Sequence, residues 1–153
     1  MATVLAAGVF SYVYAMAGRS GDAASSDAGD SQSGIHILLG LASTAVDEHR
    51  LLAPQGSNAY EFYLSVLQLD PNNSTAQKNL RQLLPMASAE VEQTINQDDL
   101  NEAQRELGLL REFDSTNYTL SLLGGKLDAH RQLQTRKHEA QAAMIQAAQA
   151  GAQ

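Results

Sequence analysis

One stretch of this chain has a second, much diverged counterpart further on. AYEFYLSVLQLDPNNSTAQKNLRQL, beginning at Ala59, aligns without gaps on AQRELGLLREFDSTNYTLSLLGGKL, beginning at Ala103, which places Asp70 on Asp114, Asn73 on Asn117 and Leu83 on Leu127. The segments in front match as well, LASTAVDEHRL from Leu41 against MASAEVEQTIN from Met86. Apolar positions in both copies recur at helical spacing, and no stretch sustains the two-residue alternation of a strand. The chain is therefore expected to be all-α, each copy being two helices joined by a polar turn.

The turn chemistry marks the boundaries. DPNN and DSTN are stops, because Asp and Asn side chains compete for nearby backbone groups and Pro71 has no N–H to donate. Asn58 with Glu61, Asp99 with Glu102, and Ser74 with Gln77 read as capping boxes. The expected helices run from about His36 to Leu52, Ala59 to Leu69, Ser74 to Asn96, Leu100 to Phe113, and from about Asn117 onward, with Pro85 kinking the third rather than dividing it. The expected core comprises Leu38, Leu41, Val46, Phe62, Tyr63, Val66, Leu80, Leu83, Val91, Ile95, Leu107, Leu110 and Leu120. Gly124 and Gly125 fall where the pattern wants helix, which implies close packing, a hinge, or drift at a repeat end.

The second helix of each copy has a small residue, a bulky one four later and an apolar one three after that: Ala59, Tyr63 and Val66, then Ala103, Leu107 and Leu110. In copy one Pro71 follows five residues further on. This resembles the second half of a tetratricopeptide repeat. The spacing between copies exceeds that family's period, and the first-helix Trp and Gly of the family have no counterpart. A narrower resemblance covers HRLLAPQGSNAYEF through SLLGGKLDA, which is similar to the helical segment preceding the Pro-rich linker in some TonB-type energy transducers of Gram-negative bacteria. That resemblance implies a single inner-membrane anchor, a periplasmic helical domain and a role in coupling inner-membrane energy to outer-membrane receptors. The family's anchor carries Ser and, four residues later, His, whereas here Ser11 is followed at that spacing by Ala15.

Residues 1–18, MATVLAAGVFSYVYAMAG, contain no charge, and as a helix they would span about 27 Å, just enough to cross a bilayer. The segment is expected to be a membrane anchor. Ala15-Met16-Ala17 also fits a signal-peptidase site, so a cleaved signal is the rival, and a buried apolar helix the third reading. Residues 19–34 are nearly all Gly, Ser, Ala and Asp and read as a flexible linker. Residues 35–128 form the tetratricopeptide-like domain, and 129–153 an Ala/Gln-rich helical tail extending the fifth helix.

The chain has no Cys, which excludes disulfides and thiolate chemistry, and its net charge of -7 argues against a nucleic-acid partner. His36, His49, His130 and His138 form no HxxxH or HExxH pattern, so no metal is expected. No GxSxG, SxxK, GxxxxGK[ST] or GxGxxG motif occurs, which leaves neither an enzyme, a cofactor nor a small-molecule substrate to propose. The function expected is a protein-interaction scaffold in the bacterial envelope, anchored in the inner membrane through residues 1–18. The alternatives are a soluble periplasmic or secreted adaptor, or the regulatory arm of a larger enzyme. Stacked hairpins line a concave face with their first helices, and these carry Asp47, Glu48, Glu90 and Glu92 against Arg50. An acidic groove binding basic or polar peptide segments is expected there. Tyr60, lying off the stripe of Phe62 and Tyr63, is expected to be a further partner contact.

Overall fold

The computed structural model describes residues 22–151, with side chains from residue 31 onward, and every regular element among these residues is a helix. The helices are α1 (Asp22–Asp47), α2 (Ala59–Leu69), α3 (Ser74–Asn96), α4 (Leu100–Phe113) and α5 (Tyr118–Ala150). The expected anchor at residues 1–18 lies outside the described residues. No helix among the described residues is long and apolar enough to cross a membrane.

Helices α2, α3 and α4 begin and end at the expected residues, whereas α1 differs at both ends. It stops at Asp47, short of Leu52, because His49 adopts a left-handed conformation (φ 58°) and Arg50 N–H turns back to the Ala45 carbonyl at 2.8 Å. Asp98 ends α3 in the same way, with φ 61° and Asp99 N–H bonded to the Thr94 carbonyl at 3.3 Å. At its start, α1 takes in residues 22–34, whose composition suggests a linker. Extending a helix from the packed segment beyond Ile35 is easier than nucleating one.

The duplicated stops are one hydrogen-bonded device made twice. Asp70 N–H closes α2 on the Val66 carbonyl, and Asp114 N–H closes α4 on that of Leu110. Asn73 and Asn117 each donate their side-chain amide to the preceding aspartate (3.3 and 3.1 Å). Their side-chain oxygens then cap the next helix, accepting from Ala76 N–H at 3.1 Å and Leu120 N–H at 3.4 Å. The cap of α3 is thus Asn73, one residue before the expected Ser74, and the Gln77 amide reaches the Pro71 carbonyl instead. The two other expected boxes are one-sided. Asn58 and Asp99 cap as expected, but Glu61 turns to Gly56 N–H and Glu102 to Arg105. Helix α3 continues through Pro85 without a break.

Consecutive helices pack on one another, and alternate ones also meet, α2 with α4 and α3 with α5. The shared core holds Leu52, Val66, Leu80, Val91, Ile95, Leu107, Leu110, Leu120 and Leu127. Each such side chain stabilises the fold by about 1.5–3 kcal/mol when fully buried. Of the expected core, Leu41 is exposed and Leu38, Val46 and Phe62 are only half-buried. The larger correction is Tyr60, which is fully buried and donates its hydroxyl to the Leu80 carbonyl at 3.0 Å. The inward face of α2 runs through Ala59, Tyr60, Tyr63 and Leu64, one step round the helix from the frame that puts Phe62 inside. Tyr60 therefore cannot be a partner contact. Gly124 is buried beside the Arg111 guanidinium, which donates to the Leu120 carbonyl at 3.1 Å and occupies the space a Cβ would need. Gly125 has no such neighbour. Beyond Arg131, the described part of α5 is exposed throughout.

Replacing Tyr60 by Phe should lower the unfolding free energy by about 1 kcal/mol, the usual net value of one hydrogen bond. Asn73→Ala and Asn117→Ala should each cost about 1 kcal/mol through the lost caps. Urea unfolding followed by circular dichroism measures all three, and an unchanged midpoint in any variant refutes the contribution assigned to that group.

Candidate functional site

The loop after α1, the outer stripe of α3 and the start of α4 enclose a cleft of about 580 Å³. His49, Leu51 and Ala53 come from the loop. Met86, Ala89, Glu90, Gln93, Thr94 and Gln97 come from α3, and Asp99, Glu102 and Glu106 from α4 and its cap. Local folding explains the convergence. Residues 86, 90, 93 and 97 recur at three- and four-residue intervals and so share one face of α3, as do 99, 102 and 106 on α4. The left-handed turn at His49 brings the chain back, and Ala59 and Tyr60 N–H hold it by bonding to the Arg50 and Leu51 carbonyls.

Glu106 is the unusual member. It is 2 % exposed, and its Oε2 is the one buried side-chain oxygen or nitrogen among the described residues without a hydrogen-bond partner. Burial pushes its carboxyl above the ordinary range; a hydrogen bond with Thr94 and the charge of Arg105 oppose this, while Glu102 and Asp99 add to it. Glu90 is raised too, first by burial and then by the facing charge of Glu106. Arg105 relieves the pair only in part: its charge lowers both carboxyls, but its hydrogen bonds go elsewhere. It forks onto Glu102 (2.9 and 2.5 Å), donates to the Leu52 carbonyl at 2.7 Å and lies 3.7 Å from Glu61. The hydrogen bond from Arg105 holds Glu102 below the usual carboxylate range.

The residues expected to form one acidic groove are dispersed. Glu90 lines the cleft, but Glu92, about 200° round the helix, points to α5 and pairs with Lys126 at 2.7 Å. Glu48 is taken by Arg50 at 2.6 Å, and Asp47 is exposed at the end of α1, where its charge helps raise the hydroxyl pKa of buried Tyr63. The carboxylates that meet at the cleft are a different set, Glu90 from a first helix with Asp99, Glu102 and Glu106 from a second helix and its cap. Of these, Asp99 and Glu102 carry only a capping signal in the sequence. Glu106 belongs to no motif, although the duplication bears its mark: it aligns on Phe62, a carboxylate written where the first copy has an aromatic ring.

A second cleft of about 570 Å³ lies between the two duplicated turns, lined by Leu64, Leu67, Gln77, Arg81, Glu112 and Phe113 among others. No unpartnered buried polar group among the described residues faces it, and its carboxylates are Glu112 and Asp114, not those of the first cleft. No group of three or more His, Asp or Glu among the described residues is placed to hold a metal ion. No protein-family model, curated protein or solved structure matches the chain.

A raised folded-state pKa means that Glu106 favours folding below the ordinary carboxylate range and loses that contribution as pH rises through the raised value. Glu106→Gln removes the cost of ionising a buried group. The variant should melt higher than the wild-type chain at about pH 8, and the difference should shrink toward about pH 4. Thermal unfolding at the two pH values checks this, and a variant no more stable than wild type at the higher pH contradicts it.

Proposed function

We propose that the chain is a non-enzymatic protein-interaction scaffold of the bacterial envelope, built of tetratricopeptide-like helical hairpins and related in role to the helical segment of TonB-type energy transducers. In this reading α1 with α2 and α3 with α4 are the two hairpins, and α5 projects from them as a spacer. Residues 1–18 anchor the chain in the inner membrane, with the helices in the periplasm. The observation that carries the reading is the acidic cleft between the hairpins, because it offers a partner both charge and apolar surface on a rigid frame. Its occupant is a protein segment bearing basic residues. The duplicated Asp/Asn turns support the repeat architecture, and the charge-free run at the N-terminus supports the anchor.

The full chain should bind immobilised basic peptides in preference to acidic or neutral ones of equal length. Binding should weaken between about 0.01 M and about 1 M salt, as the screening length falls from about 30 to about 3 Å. Glu90→Gln should reduce the low-salt binding more than Glu92→Gln, whose carboxylate is already paired with Lys126. Equal capture of all three peptide classes rules the scaffold reading out. Fractionation of expressing cells tests the location: recovery with the inner membrane supports the anchor, and recovery in the periplasmic fluid without residues 1–17 supports the cleaved adaptor.

A further inference from the structure

We propose that the cleft receives one lysine or arginine side chain of a partner peptide, inserted head first between α3 and α4, with the carboxylates of Glu106 and Glu90 as its counter-charges. This inference rests on the scaffold reading and assigns it an anchor residue and a proton linkage. Buried polar groups in folded proteins almost always have partners, so the bare Oε2 of Glu106 marks a place where a donor belongs. Arg105 does not supply that donor, since it is held by Glu102, the Leu52 carbonyl and Glu61. Glu90 faces the same space from α3.

The walls fit a cation on an aliphatic stem better than a bare ion. Leu51, Ala53, Ala89 and Met86 line the cleft beside the carboxylates, and Met86 is 55 % exposed, with a flexible thioether that adapts to what lies against it. Methylene groups of Lys or Arg cover such surface while the charged head goes to its partners. The cleft holds roughly twenty times the volume of one water molecule, about 30 Å³. That suits a side chain, and the acidic groups are not clustered as metal ligands.

Occupancy has a consequence for protons. Glu106 and Glu90 face each other, with Asp99, Glu102 and Arg105 beside them on α4 and its cap, His49 on the loop, and Glu61 beyond Arg105 on α2. In the empty cleft both carboxyls hold protons above their ordinary range. A cation between them favours the ionised forms, so binding releases protons and tightens as pH rises.

The test uses the full chain and fluorescein-labelled Gly/Ser peptides carrying one arginine or one lysine, with citrulline and acetyl-lysine as neutral counterparts. Anisotropy should show the charged probes binding about tenfold more tightly than the neutral ones, and more tightly at about pH 8 than at about pH 5.5. Calorimetry in two buffers of different ionisation enthalpy should register proton release from the wild-type chain, a readout that needs no variant. Glu106→Gln should weaken binding and reduce the proton release to the share that Glu90 supplies, with helicity intact by circular dichroism. Glu92→Gln, whose carboxylate lies outside the cleft and pairs with Lys126, should leave both in place. No preference for the charged probes overturns the inference, as does proton release that is undiminished in Glu106→Gln. Calcium or zinc chloride that binds alone and is lost with Glu106→Gln, without charge preference among the peptides, overturns it in favour of a metal site. Salt-sensitive capture of basic peptides that is indifferent to Glu106→Gln overturns this inference alone and leaves the scaffold reading standing.

Discussion

An aspartate and an asparagine three residues apart determine how this chain turns. The aspartate closes one helix through its N–H and receives the asparagine's amide on its side chain, while the asparagine's oxygen opens the next helix. Ending one helix and starting another within so few residues forces the chain to fold back instead of running on. Made at Asp70–Asn73 and again at Asp114–Asn117, the device fixes where α3 meets α2 and where α5 meets α4. The apolar faces then have no solvent-free place to go except against one another, and the pairing of alternate helices results.

The copies share this frame but not their cargo. On α2 the inward face carries Tyr60, whose buried hydroxyl is satisfied by the Leu80 carbonyl. On α4 the position matching Phe62 carries Glu106, whose Oε2 has no partner. A buried, incompletely satisfied carboxylate weakens a fold, and its neighbour Glu90 adds like-charge repulsion. The core around Leu107 and Leu110 is well enough buried to carry that cost. Sites of recognition are commonly where a protein departs from the arrangement that stability alone prefers.

Arg105 is held away from the cleft by its own partners. Its guanidinium spans from Glu102 to the Leu52 carbonyl and toward Glu61, so it ties α4 to the returning loop and to α2. The same bonds direct its N–H groups away from Glu106, although its charge still reaches that carboxyl. Lys126 with Glu92, and His130 with Asp98 at 3.2 Å, hold α5 on the opposite face of α3 and at its end, leaving the cleft side of α3 uncovered. The packed helices therefore leave an acidic recess uncovered.

Much of the fold was legible in the sequence because its signals are local. Helical spacing, Asp/Asn stops and cap residues act within a few positions of themselves, and they placed α2, α3 and α4 at their observed bounds. The end of α1 was not legible, since nothing in DEHRL announces that His49 will turn left-handed, and its start was masked by a composition that helices and linkers share. Which way each side chain faces was decided by tertiary packing. A stripe defined by Phe62 and Tyr63 and one defined by Tyr60 and Tyr63 differ by one step of rotation, and the packing of α2 against α1, α3 and α4 selects the second. The acidic site obeys the same rule. Sequence shows that carboxylates crowd the repeats, but Glu92 leaves for Lys126 and Glu106 joins Glu90 because separate helices meet there, a relation between distant residues that local patterns do not contain.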